Sequence, residues 1–221
     1  MMFSDVKKEV RCLRTVRMFC LIFSLVCITA LTGLLWQSYS QMCFARRVAD
    51  EVLRFHVIAN SDSAEDQALK LAVRDALISW MACYGDSFTD AAQATSFVEE
   101  HRDELLSLAN SVIRAEGYDY QVQANVTHCD FPDKTYGSYT FPAGEYEALR
   151  VEIGQAQGQN WWCVLYPPLC FTEEGGASFC ESSEEQLESL LTEEDFARLK
   201  DPDAAAAPRI RFYLFDWLFG R

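Results

Sequence analysis

Met18 to Trp36 is a run of 19 residues without a single charged side chain. Wound as a helix at about 1.5 Å per residue, it nearly matches a hydrocarbon core of roughly 30 Å. A core helix of a soluble protein would show a polar face every three or four residues, and none interrupts this run. Ahead of it stand Lys7, Lys8, Arg11, Arg14 and Arg17, offset only by Asp5 and Glu9. A basic flank on one side keeps that side in the cytoplasm, so everything after about Tyr39 is expected across the membrane. Ser38-Tyr39-Ser40 offers a small-x-small cleavage pattern. The run exceeds the roughly 7–15 residues usual for a cleaved signal, which favours a retained anchor and leaves cleavage open. Cys43 follows Ser40-Gln41-Met42, which lacks the aliphatic residue of a lipidation site.

The segment divides the chain into a basic cytoplasmic stretch (1–17), the spanning or signal segment (18–36), an exported domain (46–200) and a linker with an apolar tail (201–221). Charge sorts the same way. Residues 1–40 are net positive, whereas the whole chain carries −14. A strongly acidic exported domain lacks the cations that displace counterions from nucleic acid, so a nucleic-acid partner is not expected. Its acidity serves solubility or a basic partner equally well. Cys43, Cys83, Cys129, Cys163, Cys170 and Cys180 lie beyond the anchor. An oxidising compartment permits disulfides among them, but about 15 pairings are possible and spacing selects none.

Val52 to Ile58 alternates with strand period, Leu53, Phe55 and Val57 on one side and Arg54, His56 and Ile58 on the other. Asn60-Ser61-Asp62-Ser63 follows as a turn, and Ser63 with Asp66 predicts a capping box opening a helix. Leu69, Val73, Leu77 and Trp80 would form its buried face, with Asp66 one turn ahead of Lys70 as an ion pair. A second helix is expected from Thr89-Asp90 to Glu116, stopped by Gly117 in a left-handed cap. Strands are then expected over Tyr118–Val126, Tyr146–Ile153 and Asn160–Tyr166. The last two are joined by a glycine-bounded turn, Gly154 to Gly158, and Pro167-Pro168 ends the third. A third helix covers Glu184–Lys200. The order predicts an α+β fold, with helices packed on one antiparallel or mixed sheet.

Candidate chemistry is sparse. His101 sits among charged residues of a helix and reads as a solvated surface group. His128 precedes Cys129 and Asp130, yet no Cys-x-x-Cys or His-x-x-x-His spacing supports a metal, and no cofactor is expected. His56 leads into the polar turn, where Ser61 or the distant Cys163 would be a nucleophile for an exported hydrolase. No Gly-x-Ser-x-Gly elbow is present, and a histidine that braces the turn is the simpler role. Trp161-Trp162 are neighbours on a strand and point to opposite faces, so one enters the core while the other is either presented to a partner or covered by the domain itself. Cys163 and Cys170 would close a short loop around Pro167-Pro168 or remain a pair of buried thiols. The aromatic tail Arg209–Phe219 is expected to dock on its own domain, the alternative being a partner-binding or membrane-surface stretch.

Two stretches closely resemble the stage II sporulation protein R family. One is Leu53-Arg54-Phe55-His56-Val57-Ile58-Ala59-Asn60-Ser61-Asp62-Ser63 with Asp66-Gln67-Ala68-Leu69-Lys70-Leu71 and Val73-Arg74-Asp75. The other is Tyr146-Glu147-Ala148-Leu149-Arg150-Val151, Ile153-Gly154 and the Asn160-to-Phe171 cluster, so that the likeness spans roughly residues 50–172. Ala72 replaces a basic residue usual there, and Ala156 interrupts a more glycine-rich turn. The resemblance implies a signalling protein of endospore-forming bacteria, exported from the forespore into the space between two apposed membranes. It further implies a partner, a membrane-embedded aspartic-type protease of the mother cell that releases the sigma-E factor from its precursor. On that footing the chain is a ligand without catalytic residues or a small-molecule substrate. Its expected partner contacts are the shared positions read as solvent-facing: Arg54, His56, Asn60, Asp62, Asp66, Arg74, Trp161 and Trp162.

Overall fold

The computed structural model describes residues 2–84, 87–170 and 181–205. The acidic Glu173–Ala177 segment, Cys180 and the apolar tail Arg209–Phe219 lie outside the described residues. Helix α1 runs Met2–Asp50. Its part from Val16 on is the one described stretch long and apolar enough to cross a membrane, and the large apolar side chains from Val16 to Trp36 are exposed. Thr29 and Thr32 turn their hydroxyls onto the carbonyls of Val26 and Thr29, so neither carries an unsatisfied donor into lipid. The chain separates into two compact units, Met1–Gln41 and Met42–Arg221.

The second unit is α+β, built on a mixed four-stranded sheet of order β2-β5-β1-β6. β1 (Leu53–Ile58) pairs in parallel with β5 (Gly144–Ile153) and antiparallel with β6 (Asn160–Tyr166). β2 (Val122–Phe131) lies antiparallel on the far side of β5. The expected turn between β5 and β6 therefore does not join adjacent strands; it crosses over the end of β1. A short hairpin, β3 (Lys134–Tyr136) and β4 (Tyr139–Phe141), was not signalled by periodicity and turns at Gly137.

One sheet face is covered by α2 (Ala64–Ala82), α3 (Ala91–Glu100) and α4 (Arg102–Ala115). Leu53, Phe55 and Val57 of β1 meet Leu69, Val73 and Leu77 of α2 there. Full burial of a side chain such as Phe55 contributes roughly 2–3 kcal/mol. The opposite face packs Tyr146 and Val164 against Phe44, Val48, the β3–β4 hairpin and residues of α5 (Glu181–Leu190), α6 (Glu193–Leu199) and α7 (Pro202–Ala205). Covered on both faces and flanked on both edges, β1 is buried at all six positions, where its alternation had predicted one wet face.

Two long helices of the sequence reading are each broken. His101 caps the end of α3 and the start of α4, and Arg102 then reaches the carbonyl of Ala124 and the side chain of Asn125 on β2. Thr192 caps α6 through the amide of Asp195, separating it from α5. Part of the expected linker is helical as α7. Gly117, at φ +84°, supplies the left-handed cap anticipated for α4, with Tyr118 N–H donating to Ile113 O and Gly117 N–H to Arg114 O. His101 is half-buried, stacked on Phe97 at 4.0 Å, instead of lying free in solvent.

Candidate functional site

The most constrained part of the domain is the turn between β1 and α2. Ser63 caps α2 by accepting from the amide of Asp66 at 3.1 Å, as the spacing predicts. Asp66 does not complete the capping box. Its carboxylate turns back to accept from Ser61 Oγ at 2.5 Å and from Asn60 Nδ2 at 2.8 Å. Those hydrogen bonds, from Ser61 first and Asn60 next, hold the carboxyl below its ordinary pKa despite burial. The expected Asp66–Lys70 pair is absent. Lys70 donates to Gln67 Oε1 at 2.6 Å and to the carbonyl of Gln159 at 3.1 Å.

The β5–β6 connection clamps this turn from the other side. Asn60 Oδ1 accepts from Gln155 N–H at 3.0 Å, and the amides of Gln157 and Gly158 donate to the carbonyls of Asn60 and Ala59. Glycine is required at two points. A Cβ on Gly154, at φ +61°, would lie 2.3 Å from Asn60 Oδ1, and one on Gly158 would lie 2.2 Å from Ser61 O. The family-like stretches at 53–75 and 146–171 are thus interlocked in space.

His56 sits under the start of β6. Its Nε2 bonds Asn160 Oδ1 at 2.8 Å and its ring stacks on Trp162 at 3.8 Å. Burial lowers its pKa, opposed by the Asn160 bond, so the imidazole is neutral at neutral pH. Nothing in this geometry activates a nucleophile. Ser61 is committed to Asp66, and Cys163 is joined to Cys170 by a disulfide with Cα atoms 5.5 Å apart. No group of three His, Cys, Asp or Glu side chains suited to a metal occurs among the described residues.

Arg54 is fully enclosed, 0 % exposed. Its guanidinium lies 4.3 Å from the Phe131 ring centre and 4.8 Å from that of Tyr146, with Phe141 and Tyr136 beyond. Nε donates to Cys163 O and Nη2 to Tyr136 Oη, and no carboxylate pairs with it among the described residues. Burial lowers its pKa while the tyrosines oppose that. This is a structural cation in an aromatic box.

Of the eight positions read as solvent-facing, the structure buries Arg54, His56, Asp66 and Arg74. The expectation of exposure fails for them because sheet, turn and helix enclose each one. Asp62 is exposed, and Asn60, Trp161 and Trp162 are half-buried. Trp161 points to the helix face, with Arg74 Cζ 4.1 Å above its ring and Arg74 itself paired to Asp75. The sequence reading missed Lys70, Tyr136 and Asn160 as parts of this constellation. The Gly154/Gly158 spacing was the available signal for the clamp, whereas nothing local marks Tyr136.

A family profile described as stage II sporulation protein R (spore_II_R) matches residues 49–175. A protein of Bacillus subtilis (strain 168), "Stage II sporulation protein R", is 29% identical over 212 residues, covering 90% of this chain and 95% of that relative. No solved structure matches.

Proposed function

The chain belongs to the stage II sporulation protein R family, and from that premise we propose that it acts as an intercompartmental sporulation signal. The N-terminal helix delivers the acidic domain across the forespore membrane and tethers it there, or is cut after export. The domain then occupies the space between forespore and mother cell. It binds a membrane-embedded aspartic-type protease of the mother cell, stage II sporulation protein GA, and so triggers release of sigma-E from its precursor. The signal carries no catalytic residues of its own.

The single observation behind this reading is the interlocked turn. Its polar side chains are spent on one another, Asn60 and Ser61 on Asp66 and the β5–β6 amides on Asn60 and Ala59. Such a turn presents a rigid surface around Asp62 and Asn60, which suits recognition rather than bond-making. The competing exported hydrolase needs His56 beside Ser61 or Cys163, and both partners are otherwise engaged.

Co-expression in a non-sporulating host tests the proposal. Protease and sigma-E precursor are produced with the full chain, with a chain lacking residues 1–45, or with neither. Precursor cleavage is expected only where the domain is present and exported. Equal cleavage without the chain would remove the proposed role.

A further inference from the structure

The sheet is covered unevenly. Helices α2, α3 and α4 close one face, and among the described residues the other is packed only toward Tyr146 and Val164. Beyond that end two cross-strand rows stand open. One runs Gln123, Glu152, Ile58, Asn160 and the other Asn125, Arg150, His56, Trp162, since residues paired across strands share a face. Ile58 and His56 form a buried floor. Gln123, Asn125 and Asn160 are exposed, and Arg150, Glu152 and Trp162 are half-buried. Gln155 and Gln157, also exposed, extend this end of the sheet in the β5–β6 connection.

These rows are charge-balanced in a chain of net charge −14. Their two charged side chains, Arg150 and Glu152, are paired with each other at 2.5 Å, and burial favours the neutral form of His56. A charged ligand would find its counter-charge already taken. Carboxamides supply the remaining polarity, and each offers donors and an acceptor together. Asn160 Oδ1 is held by His56 and Asn125 Oδ1 by Arg102, which leaves the amide N–H groups of both to donate. Trp162 supplies the apolar contact. One face of its indole stacks on His56 at 3.8 Å, and Phe131 meets it steeply tilted at 4.6 Å. Tyr136 takes the Trp162 carbonyl and leaves the ring. Among the described residues β6 is the sheet edge, so no strand lies beyond the other face of the indole.

We propose that this open face, with Trp162 at one side and Gln123 at the other, holds an N-acetylated glycan strand of the cell wall. The ligand class follows from the chemistry of the rows. A sugar ring has an apolar C–H face that stacks on an indole and a rim of hydroxyls that donate and accept at once. An N-acetylated sugar adds an amide, the substituent that answers a carboxamide with both an N–H and a C=O. A protein partner would call for a larger apolar centre than one indole provides, and nucleic acid for unpaired cations. For an exported bacterial domain, the N-acetylated glycan within reach is the wall's own. No bond is made or broken; the face retains the domain at the wall. The proposal needs export of the domain but not the protease, and its test reads binding alone, so it can fail while the signalling reading stands.

The test sediments the full chain, carried in neutral phosphatidylcholine nanodiscs, with protein-free peptidoglycan sacculi stripped of teichoic acid. Saturable co-sedimentation is expected, competed by the N-acetylglucosamine hexamer and not by cellohexaose, which lacks the acetamido groups. Trp162→Leu is expected to weaken binding about tenfold, and Gln123→Ala, exposed on β2, about threefold. Trp80→Phe, on the helix-covered side of the sheet, is expected to change nothing. Near-ultraviolet circular dichroism checks the fold of each variant, and if Trp162→Leu does not fold, Gln123→Ala decides. Absent sedimentation, or sedimentation that no folded variant of the open face weakens, would overturn the site. An equal loss with Trp80→Phe would overturn it as well. Failure of the N-acetylglucosamine hexamer to compete, or equal competition by cellohexaose, would overturn the N-acetylated strand as occupant.

Discussion

The side-chain oxygen of Asn60 fills the place where a Cβ on Gly154 would stand, 2.3 Å from its ideal position. Gly154 also holds φ at +61°, so a substitution there meets both a clash and backbone strain. Gly154→Ala is expected to lower stability by about 2 kcal/mol, and Gly158→Ala, which meets backbone at Ser61, by at least as much. Urea unfolding of the detergent-solubilised chain measures both. Unchanged midpoints would mean that the β5–β6 connection does not clamp the turn.

Ala156 in the same connection is a non-glycine residue at φ +51°. A left-handed alanine costs roughly 1 kcal/mol relative to glycine, partly offset by the greater unfolded-state freedom of glycine. Ala156→Gly is therefore expected to raise the thermal midpoint slightly. A lower midpoint would contradict the assigned conformation.

Asp66 has a folded pKa depressed from 3.8 by the hydrogen bonds of Ser61 and Asn60. A depressed carboxylate contributes stability that is present above its unfolded value and is lost as pH falls through the folded one. Asp66→Asn should accordingly lower the thermal midpoint at pH 7, with the difference from wild type shrinking below about pH 4. A difference constant from pH 7 to pH 2 would exclude the ionised carboxylate as the turn's acceptor.

Arg54 acts through folding rather than contact. Its planar guanidinium spans Cys163 O, Tyr136 Oη and the Phe131 ring, a geometry that an ammonium does not reproduce. Arg54→Lys is expected to cost about 2 kcal/mol in urea unfolding while leaving precursor cleavage by the folded fraction unchanged. Loss of cleavage at full folding would return Arg54 to the contact surface.

What the sequence made legible was local. Period two in β1, Ser63 as a cap and Gly117 as a stop are short-range signals, and the structure keeps all three. The break at His101 carries no glycine or proline; it coincides with Arg102 reaching across to β2. The Gly154–Gly158 turn announced a reversal without saying that β1 would lie between the strands it connects. Arg54 read as wet because alternation alone assigns polar residues outward. The rings that enclose it come from residues 131–146, and the Gly137-Ser138 turn between two aromatics was the overlooked sign of the hairpin that brings Tyr136 and Phe141. Within the polar turn, Asp66 finds its partners Ser61 and Asn60 locally, whereas the amide that Asn60 Oδ1 accepts from, Gln155 N–H, lies 95 positions away.

The most direct measurement of the central claim is the cleavage rate of the sigma-E precursor by the protease reconstituted in nanodiscs, as full chain is added. A saturable rise from a near-zero baseline is expected. A cleavage rate independent of the added chain would contradict it.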